Sequence, residues 1–387
     1  MFLQYAFPGA LLPLYRAHLQ SLNFGEMESA WCCAAQSLAT LLTVMFVGQV
    51  ADRYLAAERC LAVFAALAGM VLWVLASLQG VPGVFMATLA FWLLTSPLVL
   101  LGTTVCFHHL HRPAEEFGSV RLWGTVGWTV PAWLLFVGRV AGWWEPSQST
   151  TIALFRLGSV FAFLLSVYAF CLPPTPPQPE RGGVAPLQAL RLLRSGPFAV
   201  YCLCAMGVSM TLPFTTQATP LLLSHLGISD LWLSPTLTLG QASEVASLAL
   251  LPVMMLRLGL RGTMLVGLGA WMAALSVLTL GKPVELVVAS LGLNGLCITG
   301  FLVAGQVFVN RQATGDLRAS VQALLTFVNG VGMLIGNLLV GWVRWLNDGE
   351  FTRTFAVGAA IMACLLLLFL VGFREEAPEA VPEAVAA

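Results

Sequence analysis

Runs of about twenty mostly apolar residues, the length that spans a bilayer's hydrocarbon core, follow one another along almost the whole chain. Twelve are legible, at roughly 1–22, 29–51, 59–79, 82–107, 118–139, 150–172, 197–224, 231–256, 262–281, 283–309, 320–346 and 352–373. In lipid a backbone N–H or C=O must find its partner inside the protein, so spans of this kind fold as helices. Composition excludes a soluble alternative: 58% of residues are hydrophobic and 9% charged, against about 25% charged in soluble domains. The net charge of zero gives no basis for binding nucleic acid. An all-α membrane protein is expected.

One stretch breaks the pattern. Pro173-Pro174-Thr175-Pro176-Pro177-Gln178-Pro179-Glu180-Arg181-Gly182-Gly183 has the composition of a linker. It divides the chain into an N-terminal bundle over 1–172, a linker over 173–196, a C-terminal bundle over 197–373 and a tail over 374–387. Ser119-Val120-Arg121 opens the fifth span and Ser320-Val321-Gln322 the eleventh, each after a polar loop and before a glycine-rich helix. Six spans plus six, with this faint repeat, suggest two bundles holding a site between them at mid-membrane.

Arginines set the orientation, since cytoplasmic loops are enriched in positive charge. With the N-terminus inside, cytoplasmic segments hold Arg53, Arg59, Arg112, Arg181, Arg191, Arg194, Arg257, Arg261, Arg311, Arg318 and Arg374; the other side holds Arg139, Arg344, Arg353 and Lys282, the only lysine. Both termini are therefore expected in the cytoplasm. The first span carries Gln4, Pro8, Arg16 and His18, unlike a secretory leader. The nine cysteines lie in apolar runs without metal-type spacing, so neither a metal nor a cofactor is expected. His108, His109 and His111 near Glu115 and Glu116 also lack a ligand spacing.

Polar residues inside the spans carry the functional argument. Arg121 cannot shed its proton, and a charge at a helix centre costs roughly 2.5–3.5 kcal/mol on insertion scales. It must face protein or a wet cavity. Thr125 and Trp128 follow at i+4 and i+7 on nearly the same face, and the indole could stack on a planar base. Glu244 is the only acidic residue deep within a span, suited to loading and releasing a proton or to pairing with Arg121. Gln241, at i−3 on the same face, offers both donor and acceptor. Thr216 and Gln217 form an unusual polar run in the seventh span, pointing to a cavity. Asn329 is a further candidate, or glue beside the Gly332/Gly336 packing face. Snorkelling to the interface accounts for Arg16; His18 reads as an interfacial polar group or a proton relay.

The loop after the second span, Gly48-Gln49-Val50-Ala51-Asp52-Arg53-Tyr54-Leu55-Ala56-Ala57-Glu58-Arg59, resembles the G-x-x-(A)-D-R-x-x-x-(x)-R signature of the major facilitator superfamily. That resemblance implies a gating role for Gly48, Asp52, Arg53 and Arg59, with Asp52 at a helix N-terminus or paired to arginine across the bundles. Four further stretches resemble the bacterial nucleoside:proton symporters. These are Phe2-Leu3-Gln4-Tyr5, Arg121-Leu122-Trp123-Gly124-Thr125-Val126-Gly127 (the family's R-I-W-G-T-I-G), Gln241-Ala242-Ser243-Glu244 (Q-I-S-E), and Arg318-Ala319-Ser320-Val321-Gln322 through Asn329-Gly330.

The resemblance implies a major facilitator fold, a bacterial inner-membrane location and alternating-access uptake. Nucleoside contacts are implied at Arg121, Thr125, Gln241 and Glu244, with Trp128 where the family has phenylalanine. Glu244 would carry the proton. The partners are then a nucleoside, a proton and the lipid bilayer, with the protein a monomer. Two departures stand out. The helix-ten pattern C-x-F-D is here Cys297-Ile298-Thr299-Gly300, without its aspartate, and Pro213 and Thr216 stand where helix seven has amides. They leave open an uncoupled facilitator or a porter for another small polar metabolite. No catalytic constellation is present in the sequence, so an enzyme is not expected.

Overall fold

The computed structural model describes residues 1–44, 57–109, 113–143, 149–173, 175, 190–312 and 318–374. Nine helical segments among them are long and apolar enough to cross a membrane, and one, Asp230–Leu280, is 51 residues long and holds two crossings. Two shorter helical stretches at the N-terminus complete twelve, numbered α1–α12. In the N-terminal half, α1 comprises Phe2–Leu11 and Tyr15–Ser21 about a 3₁₀ turn at Leu12–Leu14, followed by α2 (Glu26–Leu42), α3 (Ala57–Leu75), α4 (Val81–His109), α5 (Pro113–Val140) and α6 (Thr150–Ala169). In the C-terminal half, α7 is Gly196–His225, α8 and α9 share Asp230–Leu280, α10 runs in pieces from Val284 to Gln312, α11 is Arg318–Leu346 and α12 is Phe351–Gly372.

The breaks fall where the sequence removes or rearranges backbone hydrogen bonds. Pro13 has no N–H to offer, and the turn at Leu12–Leu14 interrupts α1 there. Between α8 and α9 the sequence suggested a loop over 257–261; instead the helices meet at Gly259, with φ 68° and ψ 177°. That conformation is essentially restricted to glycine. In α10 the helix passes through Leu293–Cys297 into a six-residue π turn, Ile298–Val303, and π turns collect at functional sites.

Within the N-terminal half α1 lies tightly on α5. A Cβ at Gly9 would run into the backbone carbonyl of Trp128, and one at Gly127 into that of Phe2. In the other half Gly332 and Gly336 of α11 meet the backbones of Met206 and Met210 on α7 in the same way, using the packing face their spacing implied.

Linker residue Thr175 is fixed beside the start of α3 and the end of α4. Its N–H donates to Glu58 Oε2 (2.9 Å) and its hydroxyl meets His109 Nε2 (3.1 Å). That end of the molecule, which α1 leaves from Met1, is called the terminal end and the opposite one the far end.

Candidate functional site

The two halves are bridged at the far end. Arg16 of α1 pairs with Glu26 Oε2, and Arg344 of α11 donates to the same carboxylate through Nε (3.0 Å) and Nη2 (3.1 Å). Arg16 and Arg344 are almost completely buried. Arg16 therefore does not snorkel to the interface as expected from sequence, because Glu26 gives it a counter-charge inside the protein. His18 is also buried rather than interfacial, its Nδ1 3.1 Å from Thr151 Oγ1. Across α5 and α8, Trp133 Nε1 donates to Thr238 Oγ1 (3.2 Å) and Phe136 packs on Trp232 with centroids 4.5 Å apart. Deeper in, Gln217 donates to Asn337 Oδ1 (2.6 Å), whose amide nitrogen donates to Ser37 Oγ of α2 (3.1 Å). Among the described residues, these polar and aromatic bridges between the halves all lie in the far half.

Beneath them is a cavity between the bundles, lined from the N-terminal half by Leu12, Pro13, Trp128 and Ala132. The C-terminal half supplies Thr215, Thr216, Thr219, Thr238, Gly240, Gln241, Asn294 and their neighbours. Pro220 lies in the α7 wall. It has no N–H to donate back to the carbonyl four residues earlier, so Thr216 loses that helical bond. The break at Leu12–Leu14 brings Leu12 and Pro13 into the opposite wall.

Towards the terminal end, one helical turn from Thr125, the Arg121 guanidinium lies 4.5 Å from the centroid of the Tyr5 ring. A cation over an aromatic face is stabilised by roughly 0.5–2 kcal/mol. Arg121 on α5 and Glu244 on α8 lie near enough for their charges to interact, with no direct hydrogen bond between them among the described residues. Arg121 is accessible, and Glu244 and Gln241 are half-buried. The interior thus presents a fixed cation held by an aromatic ring on one bundle, a carboxylate on the other, and an amide, an indole and threonines above them.

The residues expected from sequence divide accordingly. Trp128, Thr216 and Gln241 line the cavity, and Arg121, Thr125 and Glu244 lie on the same two helices, α5 and α8, towards the terminal end. Gln217 does not line it, being buried in the bridge to Asn337. Asn329 accepts from Ser209 Oγ (3.1 Å) between α7 and α11, the interhelical alternative weighed for it. Gly48, Asp52 and Arg53 lie outside the described residues, and Arg59 is exposed in the first turn of α3. Sequence reasoning passed over Tyr5 and Asn294. The signal for Asn294 was available: a lone amide within an apolar span.

A family model for nucleoside H+ symporters matches residues 1–378. The chain belongs to the nucleoside H+ symporter family. It is a multi-pass membrane transporter and not an enzyme. Over 397 aligned residues it is 27% identical to the putative nucleoside transporter YegT of Escherichia coli K12, covering 97% of this chain and 92% of that protein. Against the xanthosine permease of the same organism it is 26% identical, covering 96% and 94%. The crystal structure of the nucleoside transporter NupG superposes with a TM-score of 0.83 at 20% identity, covering 97% of each chain. A D-xylose-proton symporter superposes at 0.76 with 11% identity, covering 96% of this chain and 95% of that one. These two establish the fold of the transporter: the major facilitator arrangement of two six-helix bundles.

Proposed function

We propose that this protein imports nucleosides across the bacterial inner membrane at the expense of the proton gradient, working as a monomer with both termini in the cytoplasm. The observation that carries the reading is a cavity between the bundles, bridged over at the far end, with the Arg121 charge on one bundle and the Glu244 charge on the other beyond it towards the terminal end. In the proposed orientation the far end is periplasmic, so the Arg16–Glu26–Arg344 cluster is part of the outer closure. Trp128 offers an aromatic face for the base. Gln241, Thr125 and Thr216 offer hydrogen bonds to base edges or ribose hydroxyls.

Glu244 couples the proton to this cycle. Protonated, it is neutral and donates a hydrogen bond; deprotonated, it is drawn towards Arg121 across the gap. Its proton thus decides whether the bundles are pulled together at mid-membrane. One charge moving through 100 mV supplies about 2.3 kcal/mol, enough for roughly 40-fold accumulation. Gly300 favours a second reading. With no carboxylate at that position, coupling rests on Glu244 alone, and an uncoupled facilitator needs only that Glu244 serve as an ion-pair partner.

Uptake of labelled uridine and adenosine into proteoliposomes, with and without an inward proton gradient, separates these. Gradient-stimulated uptake competed by unlabelled nucleosides is expected. Uptake indifferent to the gradient establishes the facilitator, and no uptake of either compound by folded protein refutes the nucleoside reading.

A further inference from the structure

The polar group that α10 offers the substrate is not at the position where the family's aspartate is expected. A Cβ at Gly300 would lie 3.0 Å from Gly267 Cα and 3.0 Å from the Thr263 carbonyl. Position 300 therefore faces the backbone of α9, and no side chain there reaches the cavity. On the same crossing, Asn294 lines the cavity beside Gln241 and opposite Trp128. Its Oδ1 is buried and has no hydrogen-bond partner. Nor does its Nδ2 make a hydrogen bond among the described residues; it lies over bare Gly240, 3.5 Å from where a Cβ there would be.

The local backbone explains the placement. Gly295 sits against the backbone of Ser243 and Glu244, and its N–H donates to Ser243 Oγ (3.1 Å). That contact sets α10 on α8 within one residue of the carboxylate, with Asn294 next to it. An amide used as helix-to-helix glue would be paired with a neighbouring helix, whereas this one is paired at neither end, with Oδ1 sealed behind the cavity wall and Nδ2 at its accessible side. A buried acceptor left unsatisfied is costly, and a ligand that supplies a donor removes that cost.

We propose that Asn294 is a substrate-contacting residue: its amide, tied at neither end, turns about χ2 to bring Oδ1 into the open position now held by Nδ2, where it accepts a hydrogen bond from a donor on the nucleoside, either a ribose hydroxyl or a base N–H. This rests on the nucleoside reading above. It makes α10 a neutral hydrogen-bonding wall and leaves the acidic role to α8.

The test is the KM and Vmax of uridine uptake by wild type, Asn294→Leu, Asn294→Ala and Asn294→Asp in proteoliposomes. Each variant is first shown to be folded by size exclusion and thermal melting. Competition by 2′-deoxyuridine, 3′-deoxyuridine, 5′-deoxyuridine and 3-methyluridine then removes one donor at a time. The Leu and Ala variants are expected to raise KM by roughly 3- to 10-fold, the effect of one neutral hydrogen bond, with Vmax little changed. The Asp variant, which keeps an acceptor oxygen, should stay within about 3-fold of wild type, as a hydrogen bond preserved to an oxygen requires. One of the four analogues should bind wild type more weakly than uridine yet bind the Leu variant equally well; which one it is distinguishes sugar from base. Unchanged KM in the Leu and Ala variants overturns the proposal. So does an equal loss for uridine and all four analogues, or a loss that the Asp variant shares. Absence of uptake by wild type would instead count against the nucleoside reading itself.

Discussion

Replacing Glu26 by glutamine should loosen the far-end closure. In the structure Glu26 receives two charge-assisted hydrogen bonds from Arg344 and one ion pair from Arg16. Of these, the Arg344 bonds span the two bundles. Arg344 is almost fully buried and stacked over Phe351, while Glu26 keeps a quarter of its side chain exposed. Hydrogen bonds to charged groups are each worth about 1.5–3 kcal/mol. Partial exposure and the acceptor that glutamine retains lower the sum. Roughly 2 kcal/mol, or about 30-fold, should be lost from the closed state relative to one in which water reaches Arg344. The reporter is a cysteine at Thr238, under Trp133, in a background with the exposed Cys171 and Cys364 changed to serine. A membrane-impermeant maleimide added outside cells should label it at least tenfold faster in the Glu26→Gln protein. Burial pushes the Glu26 carboxyl up, but the Arg344 hydrogen bond and the Arg16 and Arg344 charges outweigh this and hold it below its ordinary value of 4.5. Its contribution is then fully present above about pH 4.5 and lost only as pH falls through the depressed value. Because only the thiolate reacts, the rate is normalised at each pH to that of a free thiol, and so normalised, labelling of the reporter with Glu26 intact should stay flat from pH 8 to 5. An unchanged rate in the Glu26→Gln protein, or acceleration in the intact one at pH 5, refutes the closure argument.

Two other substitutions test the cavity and its neighbours. Trp128→Ala should raise the KM for uridine about tenfold while Trp128→Phe stays near wild type, since base stacking is worth roughly 1–3 kcal/mol and any aromatic supplies a face; equal losses in both would remove stacking from the account. Gly300→Asp, which restores the family's side chain, should not improve coupling. With Gly267 and the Thr263 carbonyl in the way, it should lower the melting temperature and folded yield, because overpacking and an unpaired buried carboxylate together cost several kcal/mol. A stable, better-coupled protein would mean that position 300 reaches the cavity in another state.

The twelve crossings were legible because apolar length is a local property, and Arg121, Trp128, Gln241 and Glu244 were legible because polar groups are scarce inside spans. Pairings were not. Nothing near Arg16 in the sequence announces that Glu26 also holds Arg344, 318 residues away. Thr216 and Gln217 looked equivalent as a run, yet neighbours on a helix point about 100° apart, so Thr216 faces the cavity while Gln217 turns to Asn337. Gly300 read as a lost carboxylate, whereas the close approach of α9 shows that it packs two helices together.

The central claim is that Glu244 carries the coupled proton, and the most direct measurement compares two modes of transport in the Glu244→Gln protein. In proteoliposomes, gradient-driven accumulation of labelled uridine should fall to equilibration, while exchange of internal for external uridine continues. Accumulation against a concentration gradient at the wild-type level in that variant would contradict the account.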